Sequence, residues 1–522
     1  MPTPAAQIVV IGAGTGGLAA ALRLAARGAD VTVVEAANTP GGKMRTVPSP
    51  AGPVDAGPTV LTMRHVFDDL FAAAGARLDD HVTLRREPML ARHWWPDGSS
   101  LDLWDDPERN AEALRTFAGA RAADQFRSFA EAARRLFEGF DAPMMQAPAP
   151  RPPTLAAHVA RHPRLIPLMG GMRSLAGQLA RDFTDPRLRQ LFGRYATYVG
   201  GTPSGAPALL RLIWHAEASG VWRVDGGMHK LALAMAVLAE RCGARFRYGD
   251  AVRRIEVQGG RASAVQLSGG DRIAADLILF NGDPRALADG KLGTRATGAV
   301  PRSAVEPRSL SANVWAFAAR AAGPELAHHN VFFGADPRTE FGPISRGQLP
   351  DDPTLYVCAQ DRGAGQQPAD LERFEIIMNA PPLPGGQPQD IAACRTRTFP
   401  VLKAHGLRFS PEPPDSALTT PSGFEALFPA SQGSLYGRSP NELTAAFAGP
   451  TARTAIPGLY LAGGGTHPGA GIAMATLSGR HAAEAMLTDL TSTSTSRQTA
   501  MRGGMSTGSA MTAAAPSRSS PS

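Results

Sequence analysis

Short apolar runs and one helical pattern alternate over the first 35 residues of the chain. Residues 8–11 and 31–34 are rich in Val and Ile and have the length of strands that are buried on both faces. Between these runs Leu18 and Leu22 recur at helical spacing, and Gly28 follows as a residue that commonly ends a helix. The pattern predicts a right-handed βαβ unit with parallel strands.

Two later regions carry patterns of their own. In residues 107–140, Phe recurs among Arg and Glu in a helical pattern, and the Pro-rich residues 143–153 interrupt it. Residues 244–280 contain four short runs of strand-forming residues, with pairs of glycine at two of the breaks, which predicts a β-meander. The predicted strands of the meander are residues 245–248, 252–257, 263–267 and 276–280.

The composition is that of a folded chain with several domains. The chain has 522 residues, of which 43% are hydrophobic and 19% are charged, and this excludes disorder for most of its length. At roughly 100–200 residues per domain, the length allows two to four domains. Residues 488–522 are rich in Ser, Thr, Ala and Gly and contain no aromatic residue, so we expect a disordered tail there.

The net charge of +7 comes almost wholly from arginine, because Lys accounts for only four of the 53 basic residues. The arginines are spread along the chain and aromatic residues make up 6%, a combination that disfavours nucleic-acid binding. Cys242, Cys358 and Cys394 are far apart and lack CxxC spacing. This predicts a reducing compartment, no disulfide framework and no metal site.

Two stretches bear on membranes. Residues 1–22 carry no charge, but they lack the basic region of a secretory signal, and four glycines interrupt them between Gly12 and Gly17. No other run approaches the ~20 apolar residues that cross a bilayer, so we expect no membrane span.

Residues 142–181 contain five Arg, two His and no acid, together with Leu, Ile and Met. Two interpretations of them stay open: a segment on an anionic membrane surface, or a solvated helical cap of biased composition.

A Gly-rich turn lies between the first predicted strand and helix. Gly12, Gly14 and Gly17 fit the GxGxxG pattern in the context that the pattern requires. Gly12 permits a tight turn, Gly14 allows a pyrophosphate to approach the backbone, and Gly17 allows close packing of helix and strand. The helix N-terminus offers free N–H groups to phosphates, and Glu35 ends the second strand, where an acid binds ribose hydroxyls. These features predict a dinucleotide site; the alternative is a packing turn in an unrelated α/β protein.

A second predicted strand, Gly-rich turn and helix follow near the other end of the chain, in residues 458–487. The turn contains Gly463, Gly464, Gly465 and Thr466. Because the two turns lie at opposite ends of the chain, we expect both ends to hold one cofactor.

In these motifs the chain resembles bacterial carotenoid desaturases of the phytoene-desaturase type, within the flavin amine-oxidase superfamily. The resemblance covers nearly the whole chain apart from the tail, and it is most specific in residues 458–478. Residues 280–283 and 473–479 are most similar to the branch that acts on hydroxylated or methoxylated neurosporene. Shorter matches are Pro-Gly-Gly at 40–42, Asp-Ala-Gly-Pro-Thr at 55–59, Tyr-Val-Gly-Gly at 198–201, Gly-Val-Trp at 220–222 and Gly-Gly-Met at 226–228.

The resemblance implies FAD as a noncovalent cofactor. Gly12, Gly14, Gly17 and Glu35 would contact its ADP half, and Lys43 would contact its pyrophosphate. The backbone of Val252 would contact its adenine, although Val252 is equally consistent with an ordinary strand residue. The residues from Gly463 onward would approach the ribityl chain and the flavin ring. Lys43 stands where the family commonly has Arg, so it keeps the charge but lacks the bidentate fork. The implied positions are Gly12, Gly14, Gly17, Glu35, Gly42, Lys43, Val252, Gly463, Gly464, Gly465, Thr466 and Ile472.

The implied reaction introduces a C3–C4 double bond into an acyclic 1-hydroxy or 1-methoxy carotenoid, such as 1-hydroxyneurosporene. A hydride leaves C4 for the flavin and a proton leaves C3, so the cofactor supplies the redox step and the protein supplies orientation. His467, in the second turn, is the candidate proton acceptor, and the alternative is a ring that fixes the turn. Asp283 and Glu217 are weaker candidates, and both are consistent with structural acids.

The predicted fold class is α/β. Residues 1–70, 225–285 and 430–487 would form a Rossmann-like FAD-binding domain, and residues 71–224 and 286–429 a discontinuous mixed α+β substrate domain that faces the membrane. We expect a cytoplasmic protein on the inner photosynthetic membrane, with oxygen or a quinone as electron acceptor. The alternatives are a desaturase that acts earlier, on phytoene or neurosporene, and a non-enzymatic isoprenoid carrier of the same fold.

Overall fold

The structure is a computed structural model that describes residues 6–363, 366, 368, 370–383, 390–442 and 444–503, the last 11 by their backbone alone. The strands in chain order are β1 (Gln7–Ile11), β2 (Asp30–Val34), β3 (Thr46–Val47), β4 (Val54–Asp55), β5 (Leu84–Glu87), β6 (Met89–Trp94), β7 (Ser100–Trp104), β8 (Val221–Val224), β9 (Arg245–Arg247), β10 (Val252–Gln258), β11 (Arg261–Leu267), β12 (Arg272–Ala274), β13 (Leu277–Phe280), β14 (Ser311–Ala322), β15 (His329–Phe332), β16 (Leu355–Ala359), β17 (Glu372–Ala380), β18 (Arg408–Ser410), β19 (Leu418–Thr419) and β20 (Leu459–Leu461).

Helices connect these strands and also form a separate layer over the second large sheet. The α-helices in chain order are α1 (Thr15–Ala25), α2 (His65–Ala72), α3 (Pro107–Ala118), α4 (Ala120–Phe140), α5 (Pro152–Arg161), α6 (Leu175–Asp182), α7 (Pro186–Gly193), α8 (Ile213–Ala218), α9 (His229–Arg241), α10 (Arg285–Ala288), α11 (Pro337–Ser345), α12 (Ile391–Ala404), α13 (Pro421–Leu427), α14 (Ala445–Ala448) and α15 (Ile472–Gly503). A π-helical turn spans Asp141–Met145, and 3-10 helices span Leu78–Asp80, Pro163–Met169, Arg194–Val199, Ala208–Leu212, Thr294–Ala299, Arg302–Ala304 and Asp415–Ala417.

A parallel sheet in the order β20-β13-β1-β2-β9 forms the centre of the first layer. The predicted βαβ unit is confirmed, because β1 pairs in parallel with β2 and α1 connects them. Gly28 lies just beyond α1 with a φ of +81°, a conformation that favours glycine. Helix α1 packs against α9 and α15, and its apolar residues share one buried cluster with Leu231 and Met486 of those helices. The predicted α/β fold class is confirmed.

The predicted β-meander of residues 244–280 is correct only in its middle. β10, β11 and β12 pair in antiparallel fashion, whereas β9 pairs with β2 and β13 pairs with β1 in the parallel sheet. The assignment of the two outer strands to the meander is therefore wrong. Leu277–Phe280 is apolar and buried at every position, as in a strand covered on both faces, so local alternation could not place it.

A second, mixed sheet runs in the order β18-β14-β17-β16-β15-β6-β7, with β19 beside β14. Helices α3, α4, α6, α7 and α8 pack at its β6–β7 end and enclose an aromatic cluster. In that cluster the ring of Phe192 lies 4.5 Å from Phe129 and 5.6 Å from Trp214, measured between ring centroids. This packing holds the helical layer over one face of the sheet, and the cavity described below lies between them.

Two predictions about helix boundaries need correction. The helical prediction for residues 107–140 is confirmed except at Gly119, where a φ of +89° separates α3 from α4. The disordered tail predicted from residue 488 starts too early, because α15 continues to Gly503. Asp489 anchors this part of the helix, since its carboxylate accepts hydrogen bonds from Tyr460 Oη at 2.5 Å and Arg453 Nη2 at 2.6 Å. The rest of the predicted tail, residues 504–522, lies outside the described residues.

The predicted domain segments map onto the sheets as follows. Residues 1–70 contribute β1 and β2 to the parallel sheet, 225–285 contribute β9 and β13, and 430–487 contribute β20. Residues 71–224 and 286–429 supply the strands listed above for the second sheet. Within the described part of the chain, every helix is too short or too polar to cross a membrane.

Candidate functional site

The first Gly-rich turn is held to the end of β2 by Glu35. Its Oε2 accepts a hydrogen bond from the N–H of Ala13 at 2.6 Å, and its Oε1 accepts one from the N–H of Ala37 at 2.8 Å. Gly12 has a φ of +97°, and a β-carbon on Gly17 would collide with the Gly12 carbonyl. A carboxylate has about four acceptor sites, so Glu35 retains capacity for ribose hydroxyls.

Asn281, which follows β13, is a part of this turn that the sequence pattern did not reveal. Its Nδ2 donates to the carbonyl of Gly12 at 3.1 Å. A β-carbon on Gly14 would lie 2.9 Å from the same Nδ2 and 4.0 Å from the Cα of Gly42. Gly14 is therefore required by the Asn281 side chain, in addition to any approach of a phosphate.

The two Gly-rich turns lie against each other. A β-carbon on Gly16 would approach the backbone nitrogen of Gly463 to 2.6 Å, and one on Gly463 would approach Asn281 Oδ1 to 2.8 Å. The N–H of Gly463 donates to Ser478 Oγ of α15 at 3.2 Å. Residues from the two ends of the chain thus line one continuous site.

Lys43 reaches toward the second turn. Its Nζ donates to the carbonyl of Leu435 at 2.5 Å, and a β-carbon on Gly437 would lie 2.8 Å from Cα of Gly465. Burial lowers the pKa of Lys43 to about 8, although the nearby carboxylate of Asp283 opposes this shift. Gly42 lies beside Gly14 and so keeps the Lys43 backbone close to the first turn. The contact between Lys43 and a pyrophosphate stays a prediction.

Val252 begins β10, beside the loop that pairs with the end of β2. The N–H of Asp250 donates to the carbonyl of Glu35 at 3.1 Å, and the N–H of Gly249 donates to that of Ala37 at 2.9 Å. These bonds bring the backbone before Val252 close to Glu35. Its contact with adenine stays a prediction.

A cavity of 790 Å³ extends from the second Gly-rich turn between the mixed sheet and the helical layer. Most of its wall is apolar, which suits a hydrocarbon ligand. The turn contributes Gly464, Gly465, Thr466 and Ile472. The sheet and the helices contribute Val331, Phe333, Tyr356, Ile377, Phe137, Leu210, Leu212, Ile213 and Ala216.

One polar cluster combines Arg194, Tyr198 and Glu217 of the cavity wall with the buried Tyr195. Tyr195 Oη donates to Glu217 Oε1 at 2.8 Å, and Arg194 Nη1 donates to Tyr198 Oη at 2.7 Å. Arg194 Nη2 lies 3.7 Å from Glu217 Oε1. Burial raises the pKa of both phenols, and the Glu217 charge adds to this effect, so both hydroxyls stay protonated.

Glu340 of α11 is a second polar residue in the cavity wall, and the sequence analysis did not identify it. Its carboxylate accepts hydrogen bonds from Thr354 Oγ1 at 2.7 Å and Asn379 Nδ2 at 2.8 Å. Burial raises the pKa of Glu340 to about 7, against these two hydrogen bonds. Thr354 directly precedes β16 and Asn379 lies in β17, so the pairing of these strands brings the two partners of Glu340 together.

The structure gives His467 and Asp283 structural partners. His467 Nε2 lies 2.9 Å from the carbonyl of Ala147, and its ring stacks on His481 with centroids 6.0 Å apart. Burial lowers the pKa of His467 and favours the neutral ring. Asp283 pairs with Arg308. His467 lines the cavity, so its role as proton acceptor stays a prediction.

Buried histidine and cysteine side chains meet beside β15 and β16, although the cysteine spacing predicted no metal site. The potential ligand atoms of His328, His329 and Cys358 lie within 4.8 Å of one another. His328 Nδ1 lies 2.7 Å from the carbonyl of Arg362, and His329 Nδ1 lies 2.7 Å from Tyr356 Oη. The described cysteines, Cys242, Cys358 and Cys394, are all free thiols.

Comparisons with known proteins agree with this geometry. Residues 15–323 and 401–487 match the family described as flavin containing amine oxidoreductase. A hydroxyneurosporene desaturase of Cereibacter sphaeroides is 60% identical over 94% of this chain and 99% of its own, and one of Rhodobacter capsulatus is 54% identical over 92% and 98%. A solved oxidoreductase from Methanosarcina mazei, 15% identical, has the same fold with a TM-score of 0.61, over 92% of this chain and 100% of its own. The chain therefore belongs to the flavin-containing amine oxidoreductases, and its cofactor is a flavin.

Proposed function

We propose that the protein is an FAD-dependent carotenoid desaturase that introduces a C3–C4 double bond into an acyclic 1-hydroxy carotenoid, such as 1-hydroxyneurosporene. The observation that carries the proposal is the 60% identity to a hydroxyneurosporene desaturase over 94% of the chain. The apolar cavity that opens onto the second Gly-rich turn supports it, because a long hydrocarbon requires such a wall beside the flavin.

The residues of the two turns fit FAD. Helix α1 begins after Gly14 without a side-chain cap and without an acid in its first turn, so its N–H groups are available to a pyrophosphate. In the second turn, Thr466 Oγ1 is buried without a hydrogen-bond partner among the described residues, as expected of a group that contacts a ligand. Gly12, Glu35 and Gly463 would hold the same cofactor.

The chain itself supplies orientation and exclusion of water. A bound flavin supplies the two-electron oxidation of the C3–C4 bond. The sheet residues Tyr356 and Ile377 and the helical residue Leu212 enclose the cavity, and this apolar wall aligns a polyene against the second turn. His467, in that turn, is proposed to receive the C3 proton. The electron acceptor is proposed to be oxygen or a quinone.

A comparison of substrates tests the proposed function. Purified flavin-loaded protein with an electron acceptor should convert 1-hydroxyneurosporene to a product with one more conjugated double bond. We expect kcat/KM for this substrate to exceed that for neurosporene by roughly 5- to 150-fold, because an unpaired buried polar group costs about 1–3 kcal/mol when the hydroxyl is absent. Absorption spectra and product masses report the reaction.

Equal conversion of both substrates, or efficient conversion of phytoene, would instead favour the desaturase that acts earlier in carotenoid synthesis. A protein that purifies without flavin and binds carotenoid without converting it would favour the isoprenoid carrier.

We further propose that residues 142–181 dock on an anionic membrane surface. Helix α5 buries none of its residues, and Ile166 and Met172 are 54% and 84% exposed. Arg161, Arg164 and Arg173 are exposed in the same segment. Met145 and Pro150, at its start, line the cavity, so a carotenoid could pass from lipid into the site nearby.

Charge reversal in this segment tests membrane docking. The triple variant Arg161→Glu, Arg164→Glu and Arg173→Glu should pellet with anionic liposomes at least tenfold more weakly and retain its flavin, because each basic residue near such a surface contributes about 1 kcal/mol. The matched control reverses three exposed arginines outside the segment. These are Arg27, Arg77 and Arg253. Equal loss of pelleting in both triple variants would indicate a general charge effect and contradict the proposal.

A further inference from the structure

We propose that Glu217 recognises the C1 hydroxyl of the substrate, with Oε2 of its carboxylate as the hydrogen-bond acceptor. The inference rests on the proposed function and names the residue that makes the enzyme prefer the 1-hydroxy substrate. Two observations support it, an incompletely bonded carboxylate and its position in the cavity wall, together with the chemistry of the substrate's C1 end.

The carboxylate of Glu217 is buried and half satisfied. The residue is 3% exposed and lines the cavity. Tyr195 Oη donates to its Oε1, and Arg194 Nη2 lies 3.7 Å from the same oxygen. Its Oε2 is buried and has no donor within hydrogen-bond distance among the described residues. The Tyr198 hydroxyl, which also interacts with Glu217, accepts a hydrogen bond from Arg194 Nη1. A buried acceptor in this state is costly unless a ligand or water supplies a donor.

Contacts around Glu217 lead to the second Gly-rich turn. Arg194, which lies 3.7 Å from Glu217, donates to Tyr198 Oη. Gly200 packs against Tyr436, and Gly437, the next residue, lies beside Gly465 of that turn. Tyr198, Tyr436 and Met474 all line the cavity.

The position matters because of the geometry of the substrate. The C1 oxygen is only a few bonds from C3 and C4, so its binding group must lie close to the flavin ring. A plain hydrocarbon end offers Oε2 no donor, and a methoxyl oxygen is an acceptor only. A C1 hydroxyl donates its O–H, and a hydrogen bond to a charged acceptor is among the stronger kinds in proteins.

Glu340 is the other carboxyl in the cavity wall, but each of its oxygens already has a donor. Thr354 Oγ1 and Asn379 Nδ2 are these donors, so Glu340 without a ligand is less costly than an Oε2 of Glu217 that has no donor. The unsatisfied oxygen of Glu217 is therefore the better receptor for an incoming donor.

The decisive variant is Glu217→Gln. The amide oxygen can still accept from Tyr195, and the amide NH₂ replaces Oε2 with a donor that binds a hydroxyl or a methoxyl oxygen alike. We expect the ratio of kcat/KM for 1-hydroxyneurosporene to that for its 1-methoxy derivative to fall at least tenfold. A ratio that stays within twofold of the wild-type ratio would overturn the proposal.

The matched control is Glu372→Gln. Glu372 is also a buried carboxylate paired with an arginine, Arg362, but it lies outside the cavity wall. Its substitution should lower thermal stability without changing the substrate ratio. A substrate ratio that changes equally in both variants would show a general effect of losing a buried charge and would contradict the role of Glu217.

A measurement on the unaltered protein covers the case in which Glu217→Gln does not fold. Replacing the substrate O–H by O–CH₃ should lower kcat/KM at least tenfold, and equal rates with both compounds would refute the role of Glu217. Failure of wild-type protein to convert 1-hydroxyneurosporene at all would refute the proposed function itself. Conversion with an unchanged preference in the variant would refute only the present inference.

Discussion

Gly14→Val is expected to abolish flavin binding in a chain that still folds. The backbone at Gly14 has a φ of −73°, which valine adopts readily, so the effect comes from the side chain. Its β-carbon would lie 2.9 Å from Asn281 Nδ2, and the valine methyl groups would extend further into the first turn. Displacing Asn281 would break its hydrogen bond to the Gly12 carbonyl and obstruct the uncapped start of α1. Flavin absorption per mole of purified protein measures the result.

The control for this experiment is Gly269→Val, in the turn between β11 and β12. A β-carbon there meets no atom within 4 Å, and Gly269 does not have a positive φ. The control variant should therefore retain a full complement of flavin and its normal thermal unfolding. Wild-type flavin content in a folded Gly14→Val protein would refute the assignment of the first turn to the cofactor.

Arg308→Met is expected to lower the free energy of unfolding by about 3–5 kcal/mol, because it leaves the buried carboxylate of Asp283 without its partner. The two side chains are 4% and 8% exposed and form an ion pair. Arg308 Nη2 also donates to the carbonyl of Ser431 at 3.0 Å and so holds the loop before Leu435 against the segment after β13. Urea unfolding followed by circular dichroism measures the loss.

The double variant Arg308→Met with Asp283→Leu separates two causes of this loss. If the isolated carboxylate causes it, removing Asp283 as well should recover most of the stability, since a buried ion pair can often be replaced by apolar residues. Additive losses in the double variant would contradict this account. The same result bears on catalysis, because a carboxylate fully engaged by Arg308 is a structural acid and a poor proton acceptor.

Local pattern was sufficient for the elements whose residues are close in sequence. The alternation of buried runs and helical spacing predicted β1, α1 and β2, because each of these elements is stabilised by its own backbone hydrogen bonds and by one apolar face or run. The GxGxxG spacing and the family resemblance then led to a flavin site at Gly12, Gly14 and Gly17. Both inferences depend on short-range features that a single sequence displays.

Contacts between distant segments decided the rest of the site. Asn281 meets Gly14 only because β13 pairs with β1, and Gly16 meets Gly463 only because α15 packs on α1. The outer strands of the predicted meander joined the parallel sheet for the same reason, since an apolar run does not specify its neighbour. Pairing partners of this kind are set by the packing of the whole chain.

Glu217 shows most directly the difference between what local sequence predicts and what tertiary contacts decide. From the sequence it was a weak candidate, because an isolated acid in a helical segment is most often exposed or structurally paired. Folding brings it beside Tyr195 and Arg194, in the wall of an apolar cavity, and leaves one buried oxygen without a donor within hydrogen-bond distance among the described residues. The sequence by itself thus determined the cofactor class and the βαβ unit, because these depend on local spacing. Only the tertiary structure decided which polar atoms stay unsatisfied, because hydrogen-bond satisfaction depends on every segment that packs around a buried group.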